Sequence, residues 1–377
     1  MKKTLATLLC LSTLLSAGCS AKVPPVTDPI ETTAATEPTT EPTKPGAELF
    51  TDELKAKLDE VLEQNKYQGI VSLTCNGETV YQWVKGTNEL EEPLTINSPM
   101  CIGSNSKQFC AAAILMLREQ GKLSLDDTLE KYFPEYTVGK DITLHDLLSM
   151  QSGIVRDPAG LMENIEQYFN QTPEENMAAI KEWTFEQPLQ FTPGTQFEYS
   201  NVNYNLLSCV VEQVSGQRYP DFVRQNIFQP LGMDHSFVIE DVRANPQCGI
   251  TDENLAPYGL VAGLEQGCGD IVATAGDVDL WMRALQSGEV VSVESFREMT
   301  TAHAAAYGYG LERGIRGGWG HGGYIGSYTS KLYFNEEYGY QLFVVTNKTN
   351  VYKPQVTDNT ANTLLKTVFE AADASSK

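Results

Sequence analysis

The pattern of apolar and polar positions predicts regular elements most clearly near the two ends of a folded region. After Thr51, leucine and valine recur at helical spacing and predict an amphipathic helix that runs to about Lys66. Two apolar runs follow, IVSLTC and TVYQWVKG, and the Asn76-Gly77-Glu78 between them is typical of a type I′ β-hairpin. Near the other end, SYTSKLYF and YQLFVVTN flank NEEYG and predict a second hairpin, and TANTLLKTVFEAADA predicts a closing helix.

The intervening region, roughly residues 100 to 300, has the pattern of helices and long loops and shows no internal repeat. The strands that could pair with each other therefore come from both ends of the chain. The sequence predicts a mixed α/β (α+β) fold, in which an antiparallel β-sheet is flanked by the terminal helices and carries an inserted, mostly helical lobe. We expect a binding site in the cleft between the sheet and the lobe.

The first 18 residues have the features of an export signal. Two lysines precede an apolar run that is too short to span a bilayer, and small residues lead to Cys19 in LLSAGC. This ending resembles a bacterial lipobox, in which the signal is cleaved before a cysteine that then carries the lipid. The alternative is an ordinary secretory signal next to an unrelated cysteine.

Residues 19–46 contain the candidate lipidation site Cys19, followed by a segment rich in Pro and Thr. Such a composition cannot bury enough apolar surface to become ordered, so it predicts a disordered tether. The folded domain is accordingly predicted to cover residues 47–377. We expect an extracytoplasmic protein that is anchored to the bacterial cell membrane through its N-terminal lipid only.

Composition narrows the classes of ligand. The formal net charge is -22, from 49 acidic and 27 basic residues, and the absence of a basic stripe argues against nucleic-acid binding. Six cysteines follow Cys19, none of them in C-x-x-C spacing, and the chain has four histidines, so neither a metal site nor a cofactor is predicted. Export permits a disulfide between Cys248 and Cys268, and buried free thiols are the alternative.

The segment GSNSKQFCAAAILML contains a serine and a lysine at a spacing that suits nucleophilic catalysis. If a helix starts at Ser104, Lys107 lies one turn further along the same face, and its amine can reach the Ser104 hydroxyl. The apolar run that follows predicts a helix buried on every side, and burial is expected to lower the pKa of Lys107 so that it can act as a base. Taken alone, the pair is also compatible with a capped helix start and a solvated lysine.

Two further motifs occur in order along the chain. FTPGTQFEYSNVNYNLL places Tyr199 and Asn201 between a Pro-Gly turn and an apolar helix, and GGWGHGGYIGSYTS places His321 and Gly323 at the start of a strand. Together with the first motif and with HDLLSMQSGI, QGCGDIVATAGDVDLWMRAL and EQGKLSLDD, they resemble the serine β-lactamase and penicillin-binding protein superfamily, in the branch of class C β-lactamases, D-amino-acid peptidases and related esterases. The resemblance covers roughly residues 50 to 370.

The resemblance implies a role for each residue of the first two motifs. Ser104 would be the acylated nucleophile and Lys107 its proton acceptor. Tyr199, with a pKa lowered by neighbouring cations, would share the base role and activate water for deacylation. Asn201 would hold the substrate and orient Lys107. The segment Tyr168–Asn170 also fits Tyr-x-Asn, and the preceding Pro-Gly turn and following helix favour Tyr199.

The third motif implies how the substrate is held. Gly323 would let a substrate lie against the strand backbone, and the backbone N–H groups of Ser104 and Tyr324 would form the oxyanion hole. Penicillin-binding proteins and β-lactamases usually have Lys-Thr-Gly here, whose lysine holds the substrate carboxylate, and His321 stands in its place. A histidine of ordinary pKa is mostly neutral at pH 7, so carboxylate binding should be weaker.

Other residues complete the expectations. Arg313 or Arg316 could supply the positive charge that His321 lacks, and the alternative for His321 itself is an ordinary hydrogen-bonded strand histidine. Met150 stands where the family usually has a histidine, which we interpret as a structural change. The remaining histidines are expected to occur singly and to be structural: His145, His235 and His303.

The expected function is an extracytoplasmic serine hydrolase that forms an acyl-enzyme with an ester, amide or peptide. D-amino-acid peptides, β-lactams and carboxylic esters are the candidates, as small molecules or as peptidoglycan-derived substrates. A Gly-x-Ser-x-Gly segment is absent from the sequence, which argues against an α/β-hydrolase. The alternative is a cell-wall-binding or β-lactam-sensing module of the same fold that is acylated without turnover.

Overall fold

The computed structural model describes residues 46–348 and 355–375. Nine strands lie within these residues: β1 (Gly69–Cys75), β2 (Glu78–Lys85), β3 (Met100–Cys101), β4 (Phe237–Val238), β5 (Ile271–Ala273), β6 (Glu312–Arg313), β7 (Trp319–Ile325), β8 (Tyr328–Asn335) and β9 (Tyr340–Thr346). Six of them form an antiparallel sheet in the order β2-β1-β9-β8-β7-β6. The strands come from both ends of the folded region, which confirms the predicted sheet.

Both predicted hairpins are present. Asn76 and Gly77 connect β1 to β2 with φ angles of 50° and 82°, the left-handed values that a type I′ turn requires. In the second hairpin, β8 pairs with β9 along its length. Because β9 also pairs with β1, the two hairpins form one continuous sheet.

Helices account for most of the remaining structure. Within the described residues they are α1 (Asp52–Gln64), α2 (Lys107–Glu119), α3 (Leu144–Leu148), α4 (Ala159–Met162), α5 (Pro173–Phe185), α6 (Asn201–Ser215), α7 (Tyr219–Val223), α8 (Gln229–Leu231), α9 (Asp252–Leu255), α10 (Ala275–Ser287), α11 (Val293–Met299) and α12 (Gln355–Ser375). Helix α1 ends at Gln64, close to the predicted end at Lys66. It packs with α12 on one face of the large sheet, where both helices bury their apolar stripes. The terminal helices therefore flank the sheet as predicted.

The opposite face of the large sheet packs against a lobe formed by the middle of the chain. Helix α2 lies at the centre of this lobe beside α6, and its residues 109–115 have no exposed surface. Phe109 stacks on Trp281 with ring centroids 3.9 Å apart. The lobe also contains a second sheet in the order β3-β5-β4, which the sequence did not predict because its strands are only two or three residues long.

Several predictions concern other parts of the chain. The export signal of residues 1–18, Cys19 and nearly all of the tether lie outside the described residues. Between residues 46 and 348 and between 355 and 375, no helix combines the length and apolar composition needed to cross a membrane. The six cysteines that follow Cys19 are buried free thiols, so the structure supports that alternative over a disulfide between Cys248 and Cys268.

Candidate active site

Ser104 lies in a 3₁₀ turn, Gly103–Ser106, that immediately precedes α2. Gly103 has a φ angle of 53°, and a Cβ atom at this position would lie 2.5 Å from the backbone nitrogen of Tyr324. Glycine is therefore needed for the turn to approach β7 so closely. The approach places the backbone of the nucleophile beside that of Tyr324, the two groups predicted to form the oxyanion hole.

Lys107 begins α2, and its side chain is completely buried. Its Nζ donates to Ser104 Oγ at 3.1 Å, to Asn201 Oδ1 at 2.8 Å and to the carbonyl oxygen of Cys268 at 2.7 Å. An ammonium group has three protons and no acceptor, so these three oxygens satisfy the protonated form completely. The two carbonyl oxygens accept from Lys107 in either charge state, whereas the Ser104 hydroxyl can accept from an ammonium group or donate to a neutral amine.

The pKa of Lys107 moves in the direction opposite to the expectation from sequence. Burial lowers this pKa, but the negative charges that Tyr199, Cys268 and Glu265 can carry outweigh burial, so the net shift is upward. The expectation that burial lowers the pKa of Lys107 is therefore wrong for this arrangement, while its role as proton acceptor stays a prediction. The raised pKa favours a protonated Lys107, which donates a hydrogen bond to Ser104 Oγ.

Tyr199 lies between two cations at the cleft surface. Lys107 Nζ and Arg156 Cζ are each 4.9 Å from the centroid of its ring. Burial raises the pKa of Tyr199, while the charge of Lys107 and hydrogen bonds to Lys107 and Ser104 oppose burial, and the net shift is upward rather than downward as the resemblance implied. The ionised form of each group stabilises that of the other, so Lys107 and Tyr199 titrate as a coupled pair.

The start of α6 fixes Asn201 beside this pair. Ser200 caps the helix with its side chain, so that the next residue begins the first turn with its amide directed into the site. Asn201 Oδ1 accepts from Lys107, and its Nδ2 donates to Asp157 Oδ1 at 2.7 Å. Since both ends of the amide have partners, its oxygen is held toward the lysine. The structure thus brings Asn201 to the predicted position.

Two other sequence candidates lie elsewhere. Tyr168 ends a 3₁₀ turn, Ile165–Tyr168, and is not among the residues that line the cleft around Ser104. Met150 is buried beneath the start of α6, where its sulfur accepts from the backbone N–H of Ser200 at 3.3 Å. These positions favour Tyr199 over Tyr168 and a structural role for Met150.

A cleft of about 410 Å³ opens above Ser104. Its lining residues are Ser104, Arg156, Phe197, Tyr199, Glu312, His321, Gly322, Gly323, Tyr324, Thr329, Ser330 and Asp358. Lys107 and Asn201 are not part of this surface and reach it through the hydrogen bond from Lys107 to Ser104. The seven residues predicted from the motifs are therefore brought together around one cleft, while their catalytic and binding roles stay predictions.

The strand β7 forms one wall of the cleft. A Cβ atom at Gly323 would lie 1.9 Å from the carbonyl oxygen of Ile102, so only glycine lets the strand meet the turn that carries Ser104. Tyr324 follows with half of its side chain exposed. The strand thus combines a tight contact with the turn that carries Ser104 and an exposed aromatic surface at the cleft.

His321 lies on the same strand and is buried. Its Nδ1 is 2.5 Å from the carbonyl oxygen of Gly322, and its Nε2 is 3.2 Å from Tyr307 Oη. A carbonyl can only accept, so Nδ1 carries the proton and Nε2 accepts from the tyrosine. Burial lowers the pKa of His321 to about 4, against the opposing effect of Glu312. The imidazole is therefore neutral at pH 7 and adds no positive charge to the cleft.

We expect His321 to make the free energy of unfolding depend on pH between 6.5 and about 4. The folded-state pKa of about 4 lies below the ordinary value of 6.5, so the unfolded chain binds the proton first as pH falls. The free energy of unfolding therefore decreases as pH falls from 6.5 to about 4. Above pH 6.5 it does not depend on His321. The loss amounts to at most about 3 kcal/mol. The variant His321→Gln should flatten this part of a pH series measured by urea unfolding.

The matched control is His235→Gln, which removes an exposed imidazole that does not line the cleft. Its unfolding free energy should fall with pH as steeply as that of the wild type. An identical pH slope in wild type and His321→Gln would contradict the assignment of this window to His321, whatever the absolute stability of the variant.

The positive charge at the cleft surface comes from a residue that the sequence did not suggest. Arg156 lines the cleft and is paired with Asp157 at 3.2 Å. Arg313 and Arg316 line a separate cavity, so the prediction that they charge the cleft is wrong. The carbonyl of Arg156 accepts from the backbone N–H of Asn201, and this loop-to-helix contact has no local sequence signal.

Sequence reasoning also missed two acidic residues and a histidine pair. Glu312 and Asp358 line the cleft near His321, but they come from segments with no shared motif. The expectation that the other histidines occur singly is wrong for His145 and His303, whose ring centroids are 5.0 Å apart outside the cleft. In the part of the chain that the structure describes, no group of three His, Cys, Asp or Glu side chains is arranged to hold a metal.

Comparisons with known proteins identify the family and the fold. The Beta-lactamase family model matches residues 54–366. PbpX of Bacillus subtilis (strain 168), assigned by name to the penicillin-binding proteins, is 29% identical over 276 residues that cover 70% of this chain and 66% of that protein. The octameric penicillin-binding protein homologue from Pyrococcus abyssi is 26% identical, with a TM-score of 0.69 over 84% of this chain and 78% of that one.

A further solved structure shares the fold. The D-amino acid amidase from Ochrobactrum anthropi SV3 is 22% identical, with a TM-score of 0.70 over 86% of this chain and 100% of that chain. The family match extends from α1 to α12 and includes all three motifs around the cleft. The protein therefore belongs to the Beta-lactamase family, within the superfamily of serine β-lactamases and penicillin-binding proteins that its motifs resemble.

Proposed function

We propose that this protein is a serine hydrolase that cleaves an ester or amide through an acyl-enzyme on Ser104. The observation that carries the proposal is the hydrogen bond between Lys107 and the Ser104 hydroxyl at an open cleft that Tyr199 also lines. A serine hydroxyl becomes an effective nucleophile when a neighbouring group takes its proton. The charge balance of the pair favours Tyr199 as that group, with Lys107 stabilising the phenolate.

In the proposed acylation, the Tyr199 phenolate takes the Ser104 hydroxyl proton while Oγ bonds to the substrate carbonyl carbon. The carbonyl oxygen becomes an oxyanion held by the N–H groups of Ser104 and Tyr324. Collapse of this intermediate breaks the bond to the leaving alcohol or amine, which receives the proton from Tyr199. The products of this half-reaction are the free leaving group and an ester on Ser104.

Deacylation repeats the same proton transfers with water. Tyr199 takes a proton from a water molecule while the water oxygen attacks the ester carbonyl. The oxyanion forms between the same two backbone N–H groups as in acylation. When the carbon–Oγ bond breaks, Ser104 recovers its proton and the acid product is released. One tyrosine thus serves both halves because the Lys107 charge stabilises its anion each time it forms.

The substrate and location are proposed on separate grounds. A solved structure of the same fold is named as a D-amino acid amidase, so D-amino-acid amides, peptides and esters are the first candidates, whether small or peptidoglycan-derived. β-Lactams are weaker candidates because neutral His321 offers their carboxylate no fixed charge. The signal-like N-terminus and Cys19 support an extracytoplasmic, lipid-anchored location.

In the test, the purified protein is incubated with carboxylic esters, D-amino-acid amides and β-lactams. Product release and the intact mass of the protein are both followed over time. Catalytic release from at least one class, with a transient mass increase equal to the acyl group, is the expected result. Acylation of one site per molecule without release would favour the cell-wall-binding or β-lactam-sensing module. Neither product nor covalent mass from any class would overturn the proposal.

A further inference from the structure

The end of the cleft next to His321 contains two carboxylates. Glu312 comes from the edge strand β6, and its Oε1 lies 3.8 Å from His321 Nε2. Asp358 comes from the first turn of α12. Both belong to the lining of the cavity that contains Ser104. Acidic groups from an edge strand and from the C-terminal helix thus lie in the lining of one cleft.

One ammonium group lies between these two carboxylates. Lys331 Nζ is 3.5 Å from Glu312 Oε2 and 3.6 Å from Asp358 Oδ1. Its side chain is 18% exposed, whereas that of Glu312 is 42% exposed, so the acid and not the base is presented to the cleft. With His321 neutral, the four groups have a formal net charge of minus one.

Burial raises the pKa of Glu312, but the charge that His321 gains at acidic pH and the charge of Lys331 more than compensate, and the net shift is downward. Burial raises the pKa of Asp358, with Lys331 opposing it. Glu312 is therefore the more firmly ionised of the two carboxylates. Its backbone also pairs with Gly320 of β7, the strand that carries the third motif.

Among the residues that line the cleft, none adds a positive charge at the end next to His321. Arg156 is the other charged lining residue, and it is paired with Asp157 beside Tyr199. At Gly322 the strand has no side chain, and a Cβ atom there would be 3.5 Å from Asp358 Oδ1 and 3.9 Å from Lys331 Nζ. A substrate group that passes over this glycine therefore meets Asp358 together with the ammonium group of Lys331, and Glu312, which is more exposed than this lysine, keeps the net charge of this end negative.

We propose that Glu312, assisted by Asp358, makes this end of the cleft a subsite for a positively charged substrate group such as an ammonium, and disfavours a carboxylate there. The inference rests on the proposed hydrolase function and specifies the charge of its substrates. A single partly solvated charge changes the preference between cationic and anionic substrates by about tenfold.

The test measures kcat/KM for two substrate series in which only charge varies. In the first, the leaving group of an N-acetyl-D-alanine ester is choline, butanol or glycolate. In the second, the acyl group of a p-nitroanilide is D-alanine, N-acetyl-D-alanine or N-succinyl-D-alanine. The ratio of cationic to anionic substrate should exceed about ten in at least one series, and Glu312→Gln should reduce that ratio about tenfold.

Two further variants separate charge from damage to the fold. Lys331→Gln removes the ammonium group, so it should increase the same ratio, a direction that loss of folded protein cannot produce. Glu294→Gln removes an exposed carboxylate of α11 outside the cleft lining and should leave the ratio at the wild-type value. A ratio near one in both series, or a ratio that neither Glu312→Gln nor Lys331→Gln changes, overturns the proposal.

The neutral members of each series report on the hydrolase function separately. Turnover of neutral substrates without charge preference would leave that function intact and remove the subsite. If no member is hydrolysed, equilibrium binding of the choline and glycolate esters decides the question. Tighter binding of the choline ester that is lost in Glu312→Gln supports the subsite, and equal binding of the two esters overturns it.

Discussion

The variant Ser104→Ala should lose covalent labelling by a fluorophosphonate and should hydrolyse the best substrate at least about 10⁴-fold more slowly. Ser104 is the lining hydroxyl that receives the Lys107 hydrogen bond, in the same cleft as Tyr199. The other lining serine, Ser330, already donates to the carbonyl oxygen of Ile102 at 2.7 Å. Intact-mass spectrometry with and without the probe measures the adduct directly.

The matched control is Ser330→Ala, which removes a second serine from the same cleft. This variant should keep one adduct per molecule. The hydroxyl that it removes bonds to the turn before α2 and makes no hydrogen bond to Lys107. Urea unfolding of both variants shows whether each is folded. A full adduct on folded Ser104→Ala would contradict the assignment of the nucleophile, and absence of an adduct on folded wild type would contradict its activation.

The parts of the fold that the sequence predicted are those specified by neighbouring residues. The Asn76-Gly77 turn and the helical spacing in α1 act over a few positions, and both appear in the structure. The small sheet of β3, β4 and β5 depends instead on contacts between distant segments of two or three residues. Such short segments have no periodicity to recognise, which explains why they were missed.

The site shows the same division between local and tertiary information. The Ser104 and Lys107 spacing is local, and so is the start of α6 that presents Asn201. The charge state of Lys107 is not, because the carbonyl of Cys268 and the phenol of Tyr199 approach it from other segments. Burial alone predicted the wrong direction for its pKa, since the sequence did not reveal how many acceptors would surround the buried ammonium.

The variant Tyr199→Phe should lower kcat by about 10² to 10⁴-fold and cause the acyl-enzyme on Ser104 to accumulate. Phenylalanine keeps the ring between Lys107 and Arg156 and removes only the hydroxyl that exchanges protons. Both half-reactions are slowed, and deacylation more strongly, because water needs a base more than the prealigned serine does. A time course of intact mass during turnover measures the fraction of acylated protein.

The pH profile gives an independent readout of the same assignment. Burial raises the pKa of Tyr199, so wild-type kcat/KM should rise with increasing pH as the Lys107–Tyr199 pair loses its first proton, and this alkaline rise should disappear in Tyr199→Phe. The control Tyr168→Phe alters the other Tyr-x-Asn segment, which does not line the cleft, and should keep both rate and profile. If Tyr199→Phe turned over substrate at the wild-type rate, the proton-transfer role would be refuted. The Tyr199 hydroxyl would then transfer no proton in the rate-limiting step.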